Sequence, residues 1–362
     1  MLGPSLLGRF GIFKHVLFSI KSQETLGLLS VWSYILFMFL SGVKMDMGMI
    51  NRTGRKALYT GVACILFPLV VGLSIQLRLS RYYKLDEEEA TILPYVTAIH
   101  CLTPFPVLAC LLEDLQILNS ELGRLSLSTA LVSDTLSVFL LMVSSLTGIE
   151  RKKGTVVAAI DSISIIIHVI VIIFAIRPAM FWVIRQTPEG RPIKDTYVHG
   201  IVLVALGSAY LSHAYGQTLV IGPFFLGLAI PDGPPLGSAI VNKFNCFIQD
   251  VFLPILVTTC GMRVDLSLIK FDYSYTTING ILIVLTFVLK IVASLVPPLL
   301  SKMPFNDALA LALLLSCKGV VQIVFYAFLK DNEVTIFLFS SSFFHRKCNY
   351  LFLFGFILGS SN

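Results

Sequence analysis

Three ionisable side chains lie deep inside apolar runs of the sequence. Asp134 sits ten residues into a run of roughly 124–147, Lys290 thirteen into 277–300, and Lys318 twelve into 306–329. At about 1.5 Å per helical residue, each lies roughly 15–20 Å from a helix end, near the middle of a bilayer. Thr103 falls at a similar depth in its own run. A charge at that level costs at least about 2.5–3.5 kcal/mol, so three together should face a shared interior and find partners there. A carboxylate with few waters can hold either a proton or a small cation, but not both. One such site, opened alternately to two sides, suffices for exchange. A lysine beside it can neutralise the empty carboxylate and be displaced when a cation arrives. Plainer roles stand beside these: a structural ion pair for Asp134, snorkelling for Lys290, and neutralisation of helix ends for Lys318.

The elements that must position these groups follow from composition. Of 362 residues, 56% are hydrophobic and 13% charged, against about 25% charged in an ordinary soluble domain. The mean hydropathy is +0.85. A bilayer core about 30 Å thick needs roughly 20 apolar residues per helix. The sequence supplies such runs at about 25–43, 57–77, 90–112, 124–147, 155–176, 196–213, 217–230, 244–262, 277–300 and 306–329. This predicts an all-α polytopic membrane protein with about ten transmembrane helices. Connectors are short, as in Gly148–Gly154, and no linker suggests a soluble second domain. Lys and Arg are denser in the odd-numbered connectors, which places those around Lys44–Lys56 and Arg177–Lys194 in the cytoplasm.

Two runs are interrupted. Thr103-Pro104-Phe105-Pro106 places two prolines in mid-span, removing two donors and clashing with the preceding turn. Ser316-Cys317-Lys318-Gly319 places a charge and a glycine in another. Lipid cannot satisfy freed backbone groups, so such breaks persist only inside protein or along a wet cavity. A pair of them, one in each half, points to a transporter site built from inverted repeats. Two ordinary kinks are the alternative. In the first reading, half-helix ends face each other and nearby charges offset their partial charges.

Other chemistries find little support. The net charge of +6 is spread over many connectors, with no basic stripe interleaved with aromatics, so nucleic acid is not an expected partner. Cys64, Cys101, Cys110, Cys246, Cys260, Cys317 and Cys348 show no CxxC or metal-like spacing, which predicts neither a disulfide framework nor a metal site. Asp161, Asp250, His100, His168, His199 and His213 are scattered and read as structural. No Ser/His/Asp set, phosphate loop or carboxylate pair for hydrolysis can be assembled, so an enzyme is not expected, nor is a cofactor. The first 22 residues carry scattered Lys and Arg and no clear small-residue cleavage site, so no cleavable signal is expected.

Several stretches together resemble the plant cation/proton exchangers of the cation:proton antiporter-2 family. They are Gly3-Pro4-Ser5-Leu6-Leu7-Gly8-Arg9, Phe39-Leu40-Ser41-Gly42-Val43, Arg52-Thr53-Gly54-Arg55-Lys56, Thr103-Pro104-Phe105-Pro106-Val107-Leu108-Ala109 and Ser133-Asp134. Gly227-Leu228-Ala229-Ile230-Pro231-Asp232-Gly233-Pro234, Gly261-Met262-Arg263-Val264-Asp265-Leu266 and Lys318-Gly319-Val320-Val321 complete the series. The resemblance implies a sodium/proton-antiporter-like inverted-repeat fold with two broken crossing helices. It implies that Asp134 is the ion-binding acid, Thr103 the polar residue of the first broken helix, and Lys290 and Lys318 the charge-compensating lysines. Two departures stand out: Ser133 where the family usually has Asn, and Gln322 where relatives often carry Glu.

On this reading residues 1–333 form an exchanger domain that lacks one or more N-terminal spans. Residues 334–362 form a divergent hydrophobic tail in place of the family's last helices and cytosolic region. The expected function is exchange of K⁺ or Na⁺ for H⁺ by alternating access, with Asp134, Thr103 and Ser133 at the site and Pro104, Pro106 and Gly319 at the breaks. The expected partners are those ions, the lipid bilayer of a plasma membrane or endomembrane, and a second copy or a full-length relative in a dimer. A sodium-coupled solute carrier or channel of the same fold, and a non-transporting truncated form, remain as rivals.

Overall fold

The computed structural model describes residues 20–46, 48, 54–83, 87–118, 120–153, 155–187, 193–231, 233, 235–262, 274–319 and 322. The Gly3–Arg9 stretch, Arg52, Thr53, Asp232, Pro234, the stretch from Arg263 to Leu266, Val320, Val321 and the 334–362 tail lie outside these residues. The described residues are helical and contain no strand. In order they form α1 (Ile20–Lys44), α2 (Arg55–Tyr82), α3 (Glu87–Cys101), α4 (Phe105–Asp114) and α5 (Glu121–Lys153). Then follow α6 (Thr155–Gln186), α7 (Asp195–Ala214), α8 (Ile221–Ala229), α9 (Leu236–Met262), α10 (Ser274–Leu300) and α11 (Phe305–Ser316). Within α6 and α9, residues Ile172–Ile176 and Phe247–Phe252 form π turns.

Six helices among the described residues are long and apolar enough to cross a membrane: α1, α2, α6, α7, α9 and α10. The expected span at 90–112 is two helices separated by residues 102–104. The expected span at 217–230 contains only the nine helical residues of α8, about 14 Å long at 1.5 Å per residue. It is held short at its start by the end of α7. There Gly216 adopts φ 70, its N–H bonds His213 O at 2.9 Å, and the Gln217 N–H bonds Ser212 O at 3.0 Å. This is a Schellman ending, which glycine favours because it carries no Cβ.

The chain divides into two compact units, Met1–Gln23 with Met49–Ser137 and Val257–Asn362, and Glu24–Gly48 with Val138–Leu256. In the first unit, α10 packs along α2, α3 and α11. Small residues allow the close approach. A Cβ on Gly72 would lie 2.8 Å from a Thr97 methyl and 3.2 Å from a Thr286 methyl, and one on Gly61 2.8 Å from Val132 on α5. This unit buries many polar side chains, among them Thr97, His100, Thr103, Ser133, Asp134, Thr286, Lys290, Ser294 and Gln322.

In the second unit, α1 and α8 cross at a reciprocal glycine contact. A Cβ on Gly42 would meet Phe224 O at 2.4 Å, and one on Gly227 would meet Phe39 O at 2.3 Å. Such small-residue crossings are a main route to helix association in lipid, where apolar side chains gain little from leaving the bilayer. The α7–α8 contact is equally close, since a Cβ on Gly222 would lie 2.4 Å from Ser208 O. Polar links in this unit include His168 Nε2 with Ser208 Oγ at 2.9 Å, Lys44 Nζ donating to Asn245 Oδ1 at 2.6 Å, and the Lys243–Asp195 ion pair at 2.5 Å. The exposed faces carry Ile163, Ile166, Ile167 and Ile170, suited to lipid.

Candidate functional site

The site grows from the end of α3. A single proline does not end a helix in this protein, because α2 continues through Pro68 and α3 through Pro94. Three consecutive donors are lost beyond Cys101. Pro104 and Pro106 have no N–H, and the backbone of Phe105 between them hydrogen-bonds the Asp134 side chain instead of continuing the ladder. In an unbroken helix these three residues would bond the carbonyls of His100, Cys101 and Leu102, four positions earlier.

Those three carbonyls are the ones that receive Lys290, which is buried, and Lys318, which is half-buried. Lys318 Nζ donates to His100 O. Lys290 Nζ donates to Cys101 O at 3.0 Å and to Leu102 O at 2.5 Å. Gln322 Nε2 adds a bond to Leu102 O at 3.1 Å. The C-terminal end of α3 carries a negative partial charge, and the N-terminal end of α4 a positive one. The Lys290 and Lys318 amino groups, which also bond one another, answer the first, and the Asp134 carboxylate answers the second. These groups thereby replace the water that the break would otherwise need.

The second break lies against the first. α11 ends at Ser316, and residues 317–319 are non-helical. A Cβ on Gly319 would lie 2.4 Å from Val107 Cγ2, so glycine is what lets this segment reach the start of α4. Lys290 is fully buried on α10, and Asp134, on α5, is 8% exposed. No ion pair within 4.0 Å joins Asp134 to Lys290 or Lys318. Lys290 and Lys318 bond backbone carbonyls, and Lys290 also acts on Asp134 through its charge at longer range.

The hydroxyls expected at the site are buried in the same unit. Thr103 Oγ1 lies 3.6 Å from Cys64 Sγ, in a contact either can donate. Ser294 Oγ also reaches Cys64 Sγ, at 3.2 Å, and lies 2.8 Å from Lys290 O. Ser133 Oγ donates to Gly61 O at 3.1 Å, tying the Asp134 turn of α5 to α2. Cys64 and Ser294 carry no sequence signal that would single them out. Gln322 did carry one, the three-residue spacing from Gly319 that suits a side chain reaching back to a helix start. Among the described residues, no group of three or more His, Cys, Asp or Glu side chains could hold a metal ion.

The profile of the family described as "Sodium/hydrogen exchanger, transmembrane" matches residues 1–362. The chain belongs to the sodium/hydrogen exchanger family. Among curated relatives, it is similar to Cation/H(+) antiporter 3 of Arabidopsis thaliana, 36% identical over 87% of this chain and 39% of the relative. It is also similar to Cation/H(+) antiporter 8 of the same plant, 35% identical over 90% of this chain and 40% of the relative. The chain spans about two fifths of the length of these relatives. The plant cation/proton exchanger resemblance is thus confirmed.

A solved structure, the sodium proton antiporter MjNhaP1 from Methanocaldococcus jannaschii, aligns with a TM-score of 0.61. The alignment covers 93% of this chain and 83% of that one at 16% identity, which shows the fold. This exchanger-family chain is therefore an all-α, multi-pass integral membrane protein with the antiporter fold.

Proposed function

We propose that this chain exchanges a monovalent cation, K⁺ or Na⁺, for H⁺ by alternating access, with Asp134 as the group that holds each in turn. The observation that carries this reading is the placement of Asp134 at the start of α4, where Phe105 is the only backbone donor among residues 104–106. One anchoring bond fixes the carboxylate and leaves capacity for a proton or a cation. Thr103 and Ser133 supply neutral oxygens for a partly dehydrated ion. Lys290 and Lys318 hold the carbonyl end of the break, so the fixed charge around the acid stays in place as its occupant changes. The Cation/H(+) antiporters of Arabidopsis and the sodium proton antiporter fold support the same reading. A dimer of two such chains, or of one with a longer relative, belongs to this proposal.

The test is cation-driven proton movement in proteoliposomes. Wild-type protein should acidify or alkalinise the lumen according to the cation gradient, and Asp134→Asn should abolish this. Transport that persists in Asp134→Asn removes Asp134 from the role. Current without proton coupling would indicate a channel.

A further inference from the structure

Gln322 is 2% exposed and makes two hydrogen bonds of opposite sense. Its Oε1 accepts the Gly319 N–H at 2.8 Å, within the second break. Its Nε2 donates to Leu102 O at 3.1 Å, at the first break. Leu102 O also receives the Lys290 ammonium. The two interruptions are otherwise joined by the Lys318 bond to His100 O and by the packing of Gly319 on Val107. The carboxamide makes both bonds at once. An ionised carboxylate could keep the first but not donate the second, and an apolar side chain could make neither.

We infer that Gln322 is a positioning residue that couples the two breaks, so that loosening of one is felt at the other and at the Leu102–Lys290 contact. The functional part of this inference rests on the exchange reading above, whereas the coupling is measurable without transport. Hydrogen exchange on the full chain in lipid nanodiscs reads it directly. Gln322→Met should speed exchange about tenfold, the loss of one net hydrogen bond at each break, both at residues 317–319 and at 101–105. Gln322→Glu, compared at pH 8, keeps the bond to Gly319 and should speed only the 101–105 amides. A local cap on the second break would leave 101–105 unchanged in both variants, and that result overturns the inference. Gln322→Glu carries the test alone if the methionine variant does not fold.

In proteoliposomes, Gln322→Met should raise the cation KM about tenfold with a smaller change in kcat, and this rise should be absent in a Lys290→Met background. Additive effects of the two substitutions would overturn the link to Lys290. Wild-type protein that moves no protons would defeat the exchange reading and leave the nanodisc result to decide the coupling.

Discussion

The two units interrupt their helices in opposite ways. In the first, residues 102–104 and 317–319 leave the helix. In the second, α6 and α9 widen into π turns, in which the Arg177 N–H bonds Ile172 O and the Leu253 N–H bonds Ile248 O, five residues back. The π turns are two-sided, with Ile172 and Ile248 buried and other residues open. Leu102 is 6% and Thr103 1% exposed, whereas Phe174 is 75% and Phe247 49% exposed. A π turn keeps its backbone bonds and can face lipid. A true break frees carbonyls and N–H groups that lipid cannot satisfy, so it is buried and answered by charge. The unit that breaks its helices is therefore the one that must carry Asp134, Lys290 and Lys318. The chemistry and the broken backbone share one cause.

Substitutions in the two units should separate along this line. The largest effect is expected for Lys290→Met, which leaves Cys101 O and Leu102 O without their cation. Charge-assisted bonds contribute about 1.5–3 kcal/mol, so transport should fall by about 100-fold or more. Measured rates within a few-fold of wild type would show that the break does not depend on that charge. Next is the double variant Pro104→Ala with Pro106→Ala, which restores donors opposite His100 O and Leu102 O. It should lengthen α3, compete with both lysines and slow transport about tenfold. An unaltered rate would show that the lysines, not the prolines, hold the gap open.

In the second unit, Gly227→Ala forces a methyl toward Phe39 O and should lower stability by about 1–3 kcal/mol, with the cation KM unchanged. Thermal unfolding in detergent and transport kinetics read the two parts separately, and a shift in KM would make the α1–α8 crossing part of the site. The smallest effect is expected for Phe174→Ala in the exposed π turn. Stability should stay within about 0.5 kcal/mol, and a larger loss would mean that this face is not simply lipid-facing.

Much of this was legible in the sequence. The prolines at 104 and 106 and the Lys318-Gly319 pair marked both breaks, and the depth of Asp134 and Lys290 marked the unit that holds them. The destination of the lysines was not legible, since a span fixes the depth of Lys290 but not which partner it meets. Gln322 read as the loss of an acid, and only its two bonds reveal a carboxamide used at both ends. The π turns left no trace, because Ile172-Ile173-Phe174-Ala175-Ile176 is as apolar as the helix around it. The brevity of α8 was hidden likewise, since the run from Gln217 to Ile230 is apolar where its backbone is turning.

A π turn accommodates one more residue than an α-helix of the same rise requires. Removing any one residue from 172–176 would let the ordinary ladder close with everything from Arg177 to Gln186 keeping nearly its present azimuth, because the surplus residue is absorbed within one widened turn. Arg177 and Arg185 would keep their directions, and Met180 would stay buried. The π turn is thus the place where the chain can lose a residue without re-aiming the helix end that follows, whereas the same deletion in a regular stretch of α6 would turn that end by about 100°.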